Sequence, residues 1–170
     1  MEPLTLFLIA AVVLSRALDF LSTWLVTPGL ALEANPLARR LRWGGMIALN
    51  APLAALPLAH HGLSITLVVL SALVAGTNLS HGALARGAGE RNQLEGQRRA
   101  LRSIGLPAAL AMNTAGSLVV CAGGGFMMAL APAAESNPWW AALGVVAFGV
   151  TGLVHLNVAM VRLRFGGKGA

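Results

Sequence analysis

The chain alternates long apolar stretches with short polar ones. Predominantly apolar runs cover residues 3–27, 63–84, 104–131 and 139–161, and a weaker one covers 36–59. A bilayer core of roughly 30 Å needs about 20 apolar residues in helical form, so the pattern predicts an all-α, polytopic membrane bundle of five transmembrane helices. The second run is the weakest of the five. Its apolar part, Gly44 to Ala59, is short and carries Pro52 and Pro57, so a re-entrant segment competes there with a full crossing.

Charge placement weighs on that choice. Of the twelve Lys and Arg residues, all but Arg16 fall in three places: Arg39, Arg40 and Arg42; Arg86, Arg91, Arg98, Arg99 and Arg102; and Arg162, Arg164 and Lys168. With five crossings these three groups share one side, while the other side receives Glu2, His60, His61 and Glu135 and no cation. The positive-inside rule then makes the basic side cytoplasmic, with the N-terminus outside and the C-terminus inside. If 36–59 did not cross, the Arg-rich loop at 85–103 would lie outside, against the rule. Trp24 and Trp43 near the inner ends, and Trp139 and Trp140 at an outer end, fit interfacial anchoring.

Composition agrees with a membrane chain and narrows its partners. Hydrophobic residues make up 56% of the 170 positions and charged ones only 11%, far from the quarter-charged balance of a soluble domain. A net charge of +6 would suggest nucleic acid in a soluble protein, but here the cations track loop position. The stretch GALARGAGERNQLEGQRRALRS has no aromatic residue among its arginines, and Glu90 and Glu95 dilute them. It therefore reads as a topology anchor with affinity for anionic lipid, and not as a nucleic-acid surface. The N-terminal MEPLTLFLIAAVVL has no Lys or Arg before its apolar run and reads as a retained membrane span, not a secretory signal. Cys121 is the single cysteine, so no intrachain disulfide or Cys-rich metal cluster can form. With no repeat, low-complexity tract or soluble segment, residues 1–170 read as one membrane domain.

Polar side chains inside spans are the candidate chemistry, because a charge at the bilayer centre costs about 2.5 to 3.5 kcal/mol on insertion scales. Placed by depth, Arg16, Asp19 and Thr23 fall in the inner half of the first span and Asn50 in that of the second. Asn78 and His81 come late in the third, Asn113 early in the fourth, and Thr151, His155 and Asn157 late in the fifth. Every span contributes to the same leaflet. The outer halves hold no charged or amide side chain. Arg16, Asp19 and Thr23 share a face at i, i+3 and i+7. The bland alternatives are that Arg16 and Asp19 only neutralise one another and that each Asn is interhelical glue.

A carboxylate, two imidazoles and several amides at one depth are harder to read as independent glue. Asp19, Glu33, His81 and His155 are candidate catalytic groups, with Asp19, His81 and His155 as the ligand set for a divalent ion such as Zn or Fe. Arg16, Thr23, Asn35, Asn78 and Asn113 are candidate substrate-binding groups. Acid–base chemistry without metal is equally permitted, and no HExxH or GxSxG motif is present to choose a template. The pattern predicts an intramembrane enzyme for a lipid, lipid-linked or membrane-peptide substrate. Cation or small-solute transport is the rival, the dry outer half counting against it, and a structural or assembly subunit is the third reading. Small residues such as Gly149 and Gly152 offer a helix-contact surface that a homo-oligomer could use.

The stretch DFLSTWLVTPGLALEANP resembles the first hairpin of a family of small bacterial and archaeal membrane proteins defined only as a domain of unknown function. Its pattern is an Asp late in the first span, a Thr four residues on, and then Glu-x-Asn-Pro, met here by Asp19, Thr23, Glu33, Asn35 and Pro36. The resemblance implies importance of those five positions and a similar run of spans, and it carries no activity. Asn35 and Pro36 also have a mechanical reading, as cap and first residue of the second helix. Glu33, in the apolar connector LALEA, has none, and it is placed to reach back toward Asp19.

Overall fold

The computed structural model describes residues 2–165 apart from 31 and 34, with residues 36 and 81–88 described as backbone only. These residues are helical, with no strand among them. In chain order the helices are α1 (Pro3–Val26), α2 (Pro36–Asn50), a 3-10 turn (Ala51–Ala55), α3 (Leu56–Ala59), α4 (His61–Ala88), α5 (Glu90–Ile104), α6 (Leu106–Leu130) and α7 (Asn137–Phe165). Among the described residues four segments are long and apolar enough to cross a membrane: Pro3–Val26, His61–Ser80, Leu106–Leu130 and Asn137–Phe165. Large apolar side chains such as Phe7, Leu14, Met112, Val119, Phe126 and Leu130 point outward. That surface suits lipid, where an apolar exterior carries no penalty.

The packing order is α1, α4, α7, α6. Thr5 Oγ1 lies 3.0 Å from His61 Nε2, Arg16 meets Ser71, and Asn78 meets Thr23, so α1 and α4 run in the same direction. Thr66 Oγ1 donates to the Trp140 carbonyl, and with Gly62 against Trp140 and Gly144 against Val69 this sets α7 parallel to α4. Between α6 and α7 the contacts run Gly124 to Val146, Ser117 to Gly149 and Asn113 to Asn157, an antiparallel hairpin. The bundle thus has a Thr27 end, where α1 finishes, and a His60 end, where α4 starts.

Two departures from the sequence reading follow. Residues 36–59 are not one helix: α2 bends at Arg42, whose backbone sits at φ 55°, and a 3-10 turn starting at Ala51 precedes the short α3. Proline explains the lower break, since Pro52 and Pro57 lack the N–H that a continuous helix needs. Because α1 and α4 are parallel, this broken segment is what brings the chain back from the Thr27 end to the His60 end. The Arg-rich stretch 85–103 is the second departure, being helix and not loop. α4 runs through Ala88, and α5 follows between Gly89 (φ 74°) and Gly105 (φ 84°), turns that a side chain would strain. α5 turns Glu90, Gln93, Leu94 and Leu101 inward and Arg91, Glu95, Arg99 and Arg102 to the outside.

Candidate functional site

The seam between α1 and α4 is built at a spacing of seven residues. On α1, Leu8, Ser15 and Ser22 form one buried row, with Thr5, Val12 and Asp19 as the next; on α4, Ser64, Ser71 and Asn78 face them. Two helices that meet every seven residues stay in register along their length, and small side chains let them approach closely. Hydroxyls therefore occupy much of this contact. Ser15 donates to the Val12 carbonyl and Ser64 to the His60 carbonyl, each satisfying its hydroxyl locally.

At mid-seam a single guanidinium gathers three elements. Arg16 Nη1 donates to Asp19 Oδ2 at 2.6 Å and to Ser71 Oγ at 3.1 Å, and Nη2 donates to Asn50 Oδ1 at 2.7 Å. Asn50, the last residue of α2, in turn donates to the Met46 carbonyl at 2.8 Å. Arg16 also lies 5.3 Å from the centre of the Phe20 ring, a cation–π distance. Its Nε is buried and has no acceptor among the described residues. With side-chain exposures of 18% and 14%, the Arg16–Asp19 pair is screened from lipid without being sealed.

The polar track continues toward the Thr27 end. Ser22 donates to the Asp19 carbonyl, and Asn78 Nδ2 donates to Thr23 Oγ1 at 2.9 Å and to Ser22 Oγ at 3.3 Å. Thr27 then donates to the Glu90 carboxylate, tying α1 to α5. Beside it, Glu33 is half-buried: its carboxylate accepts the Asn35 N–H at 2.8 Å and its carbonyl accepts Arg162 Nη2 at 3.2 Å. The Arg162 contact brings α7 to Glu33 at this end of the bundle. Asn35 Oδ1 accepts the N–H groups of Leu37 and Ala38, capping α2 with Pro36 in its first turn.

The remaining candidates divide. Asn113 belongs to a second cluster between α6 and α7, where its Nδ2 donates to Asn157 Oδ1 at 2.8 Å and to the Gly152 carbonyl at 3.3 Å, while Asn157 reaches Thr114. His155 is half-buried on α7 and makes no hydrogen bond among the described residues. The His81 side chain lies outside the described residues. Among the described residues no three His, Cys, Asp or Glu side chains gather as metal ligands would. Gly149 faces Cys121 and the Ser117 carbonyl inside the α6–α7 contact, so its close approach is within one chain.

Several of these groups do not stand out in the sequence. Ser22 and Ser71 were hidden among apolar neighbours, and the signal that finds them is the seven-residue spacing Ser15–Ser22 and Ser64–Ser71–Asn78. His60 and His61 are structural: His60 Nδ1 accepts the Leu63 N–H, His61 meets Thr5, and the His60 ring packs edge-on against Trp140 at 4.9 Å. Compared with known proteins, the chain matches no family model, no curated protein and no solved structure.

Proposed function

We propose that this is a five-crossing protein of the prokaryotic inner membrane, N-terminus outside, that works as an intramembrane enzyme on a lipid, lipid-linked or membrane-peptide substrate reached from the cytoplasmic leaflet. The observation that carries the reading is the polar track along α1 and α4. It begins at Asn50, Arg16 and Asp19, passes Ser22, Thr23 and Asn78, and runs toward the end where Glu33 and Arg162 meet. That end carries the arginines of α2, α5 and α7, the side that the positive-inside rule assigns to the cytoplasm. The broken segment from α2 to α3 is the fifth crossing, and the parallel course of α1 and α4 supports it.

Asp19 and Glu33 are two carboxylates in unlike surroundings. Asp19 is clamped by a guanidinium inside the seam, whereas Glu33 sits at the end of the track. Such a pair suits an acid and a base acting on one substrate. Arg16 holds Asp19 in place, and Thr23 and Asn78 offer hydroxyl and amide contacts along the path. A metal-assisted version draws on Asp19, His81 and His155. We also assign the chain to the family of unknown function that its first hairpin resembles. Asp19 and Thr23 line the track, Glu33 stands at its end and Asn35 caps the next helix, so four of the five resembling positions lie along the track or beside its end.

The test compares the lipids and membrane peptides of cells overproducing the protein with those of cells overproducing Asp19→Asn. Loss of an acid–base group lowers turnover by about 10²- to 10⁴-fold, so a species that changes with the native protein should not change with the variant. Identical profiles in both strains and the empty control would sink the enzyme reading. Elemental analysis of the purified protein decides the metal version, since less than one ion bound per several chains removes it. Transport is the second reading, favoured by Asn50 at the end of a broken helix, where discontinuous helices build solute sites. Ion or solute flux in proteoliposomes that depends on Asp19 would put it first.

A further inference from the structure

A second feature at the Thr27 end lies under α5 and adjoins the end of the polar track through Arg162. It is a half-open cavity of about 330 Å³, formed by Leu32, by Leu101 and Ile104 of α5, by Ala109 of α6 and by Leu156 and Met160 of α7. Its lining is apolar except for Gln97. The residues next to that lining are basic: Arg98 follows Gln97, Arg102 follows Leu101, and Arg162 precedes Leu163, another wall residue.

Two of those arginines have donors left over. Arg98 Nε and Arg162 Nη1 are buried and find no acceptor among the described residues, although Arg162 Nη2 is engaged by the Glu33 carbonyl. A buried donor without an acceptor is costly, and a phosphate oxygen is the acceptor that arginine matches best. An apolar slot whose α5 and α7 walls each adjoin, in the chain, an arginine with an unmet donor is complementary to a molecule with a hydrocarbon tail and an anionic head. We propose that this cavity is a binding site for an anionic glycerophospholipid of the inner leaflet. One acyl chain lies between α5, α6 and α7, and the phosphate lies against Arg162 and Arg98. The two glycine turns at Gly89 and Gly105 set α5 across the bundle end, where Leu101 and Ile104 face the acyl chain and Arg98 adjoins the phosphate.

This site goes beyond the proposed reaction and does not require it. The test is lipid retained through purification, read by native mass spectrometry of protein taken from nanodiscs of mixed phosphatidylcholine and phosphatidylglycerol. The native protein should keep phosphatidylglycerol in preference to phosphatidylcholine. Arg162→Gln should lower that retention about fivefold, the change expected from roughly 1 kcal/mol per basic residue near an anionic surface. Ala159→Phe, filling the cavity from α7, and Ala109→Phe, filling it from α6, should each lower it as well, so that one poorly folded variant does not decide the result. Arg99→Gln, on the outer face of α5, and Asp19→Asn should both retain phosphatidylglycerol as the native protein does. The proposal fails if the native protein keeps both lipids equally, or if Arg162→Gln and both Phe variants keep phosphatidylglycerol unchanged. It also fails if Arg99→Gln loses as much as Arg162→Gln, because diffuse surface charge then suffices. Loss of turnover in Asp19→Asn with lipid retention intact would separate the two sites.

Discussion

Arg16 is the residue on which the seam turns, because its guanidinium joins α1, α4 and the end of α2 through Asp19, Ser71 and Asn50. Removing one partner from a screened ion pair leaves a charge with nothing to balance it, which is worth about 3–5 kcal/mol. Arg16→Met should therefore destabilise the bundle by about that much in a denaturant titration in micelles. The double variant Arg16→Met with Asp19→Leu should regain most of the loss, since an apolar pair of similar size suits the same place. If the double variant is no more stable than the single, the pair is not coupled as the geometry requires. At Asn35 the expectation is smaller: Asn35→Ala removes the acceptor for the Leu37 and Ala38 N–H groups and should cost about 1 kcal/mol in the same titration. That role was legible in the sequence, because Asn before Pro at a helix start has a local cause. The partners of Arg16 were not all legible. Asp19 lies three residues away on the same helix and could be paired with it by counting, but Asn50 and Ser71 come from 34 and 55 residues on, and counting says nothing about them.

Helices in this protein meet through small residues at spacings of seven. In the α6–α7 hairpin, Ser117 and Gly124 on one helix face Ala142 and Gly149 on the other, and all four are buried. A Cβ at Gly149 would stand 2.6 Å from Cys121 Sγ and 3.0 Å from the Ser117 carbonyl, closer than packed atoms allow. Gly149→Leu should thus destabilise the hairpin by about 1–3 kcal/mol through overpacking. Gly125→Leu, at an exposed position with nothing within 4 Å, should stay within about 0.5 kcal/mol of native. Equal losses at the two positions would show that the close contact at Gly149 does not govern its effect. The long apolar helices could be read from composition, since length and hydropathy alone define a span. α5 could not be read that way. Its arginines gave the stretch the look of a connector, while its inward row of Glu90, Gln93, Leu94 and Leu101 has the helical period but too few apolar members to stand out against the charge.

For the molecule as a whole, the parallel course of α1 and α4 fixes which ends lie together. Ala59 and Ala134 belong to the His60 end, and Arg91 and Ser103 to the α5 end. The single native cysteine makes the arrangement testable by thiol labelling in a Cys121→Ala background. With five crossings, Ala59→Cys and Ala134→Cys should react with a membrane-impermeant reagent on intact cells, and Arg91→Cys and Ser103→Cys only after permeabilisation. Labelling of all four from one side would overturn the five-crossing proposal. The sequence by itself determined that the chain is a helical membrane protein, where its long spans lie, which stretch carries the arginines, and how α2 begins. Each of these follows from local composition or from residues within one turn of each other. Tertiary structure alone decided that residues 36–59 return as a broken segment and that the Arg-rich stretch packs as a helix over the bundle end. It alone decided that the polar layer divides, with Arg16, Asp19, Asn50 and Ser71 in one seam and Asn113 and Asn157 in another. Depth can be read from position along a helix, but which helices are neighbours depends on how their small-residue faces fit together, and that is a property of pairs.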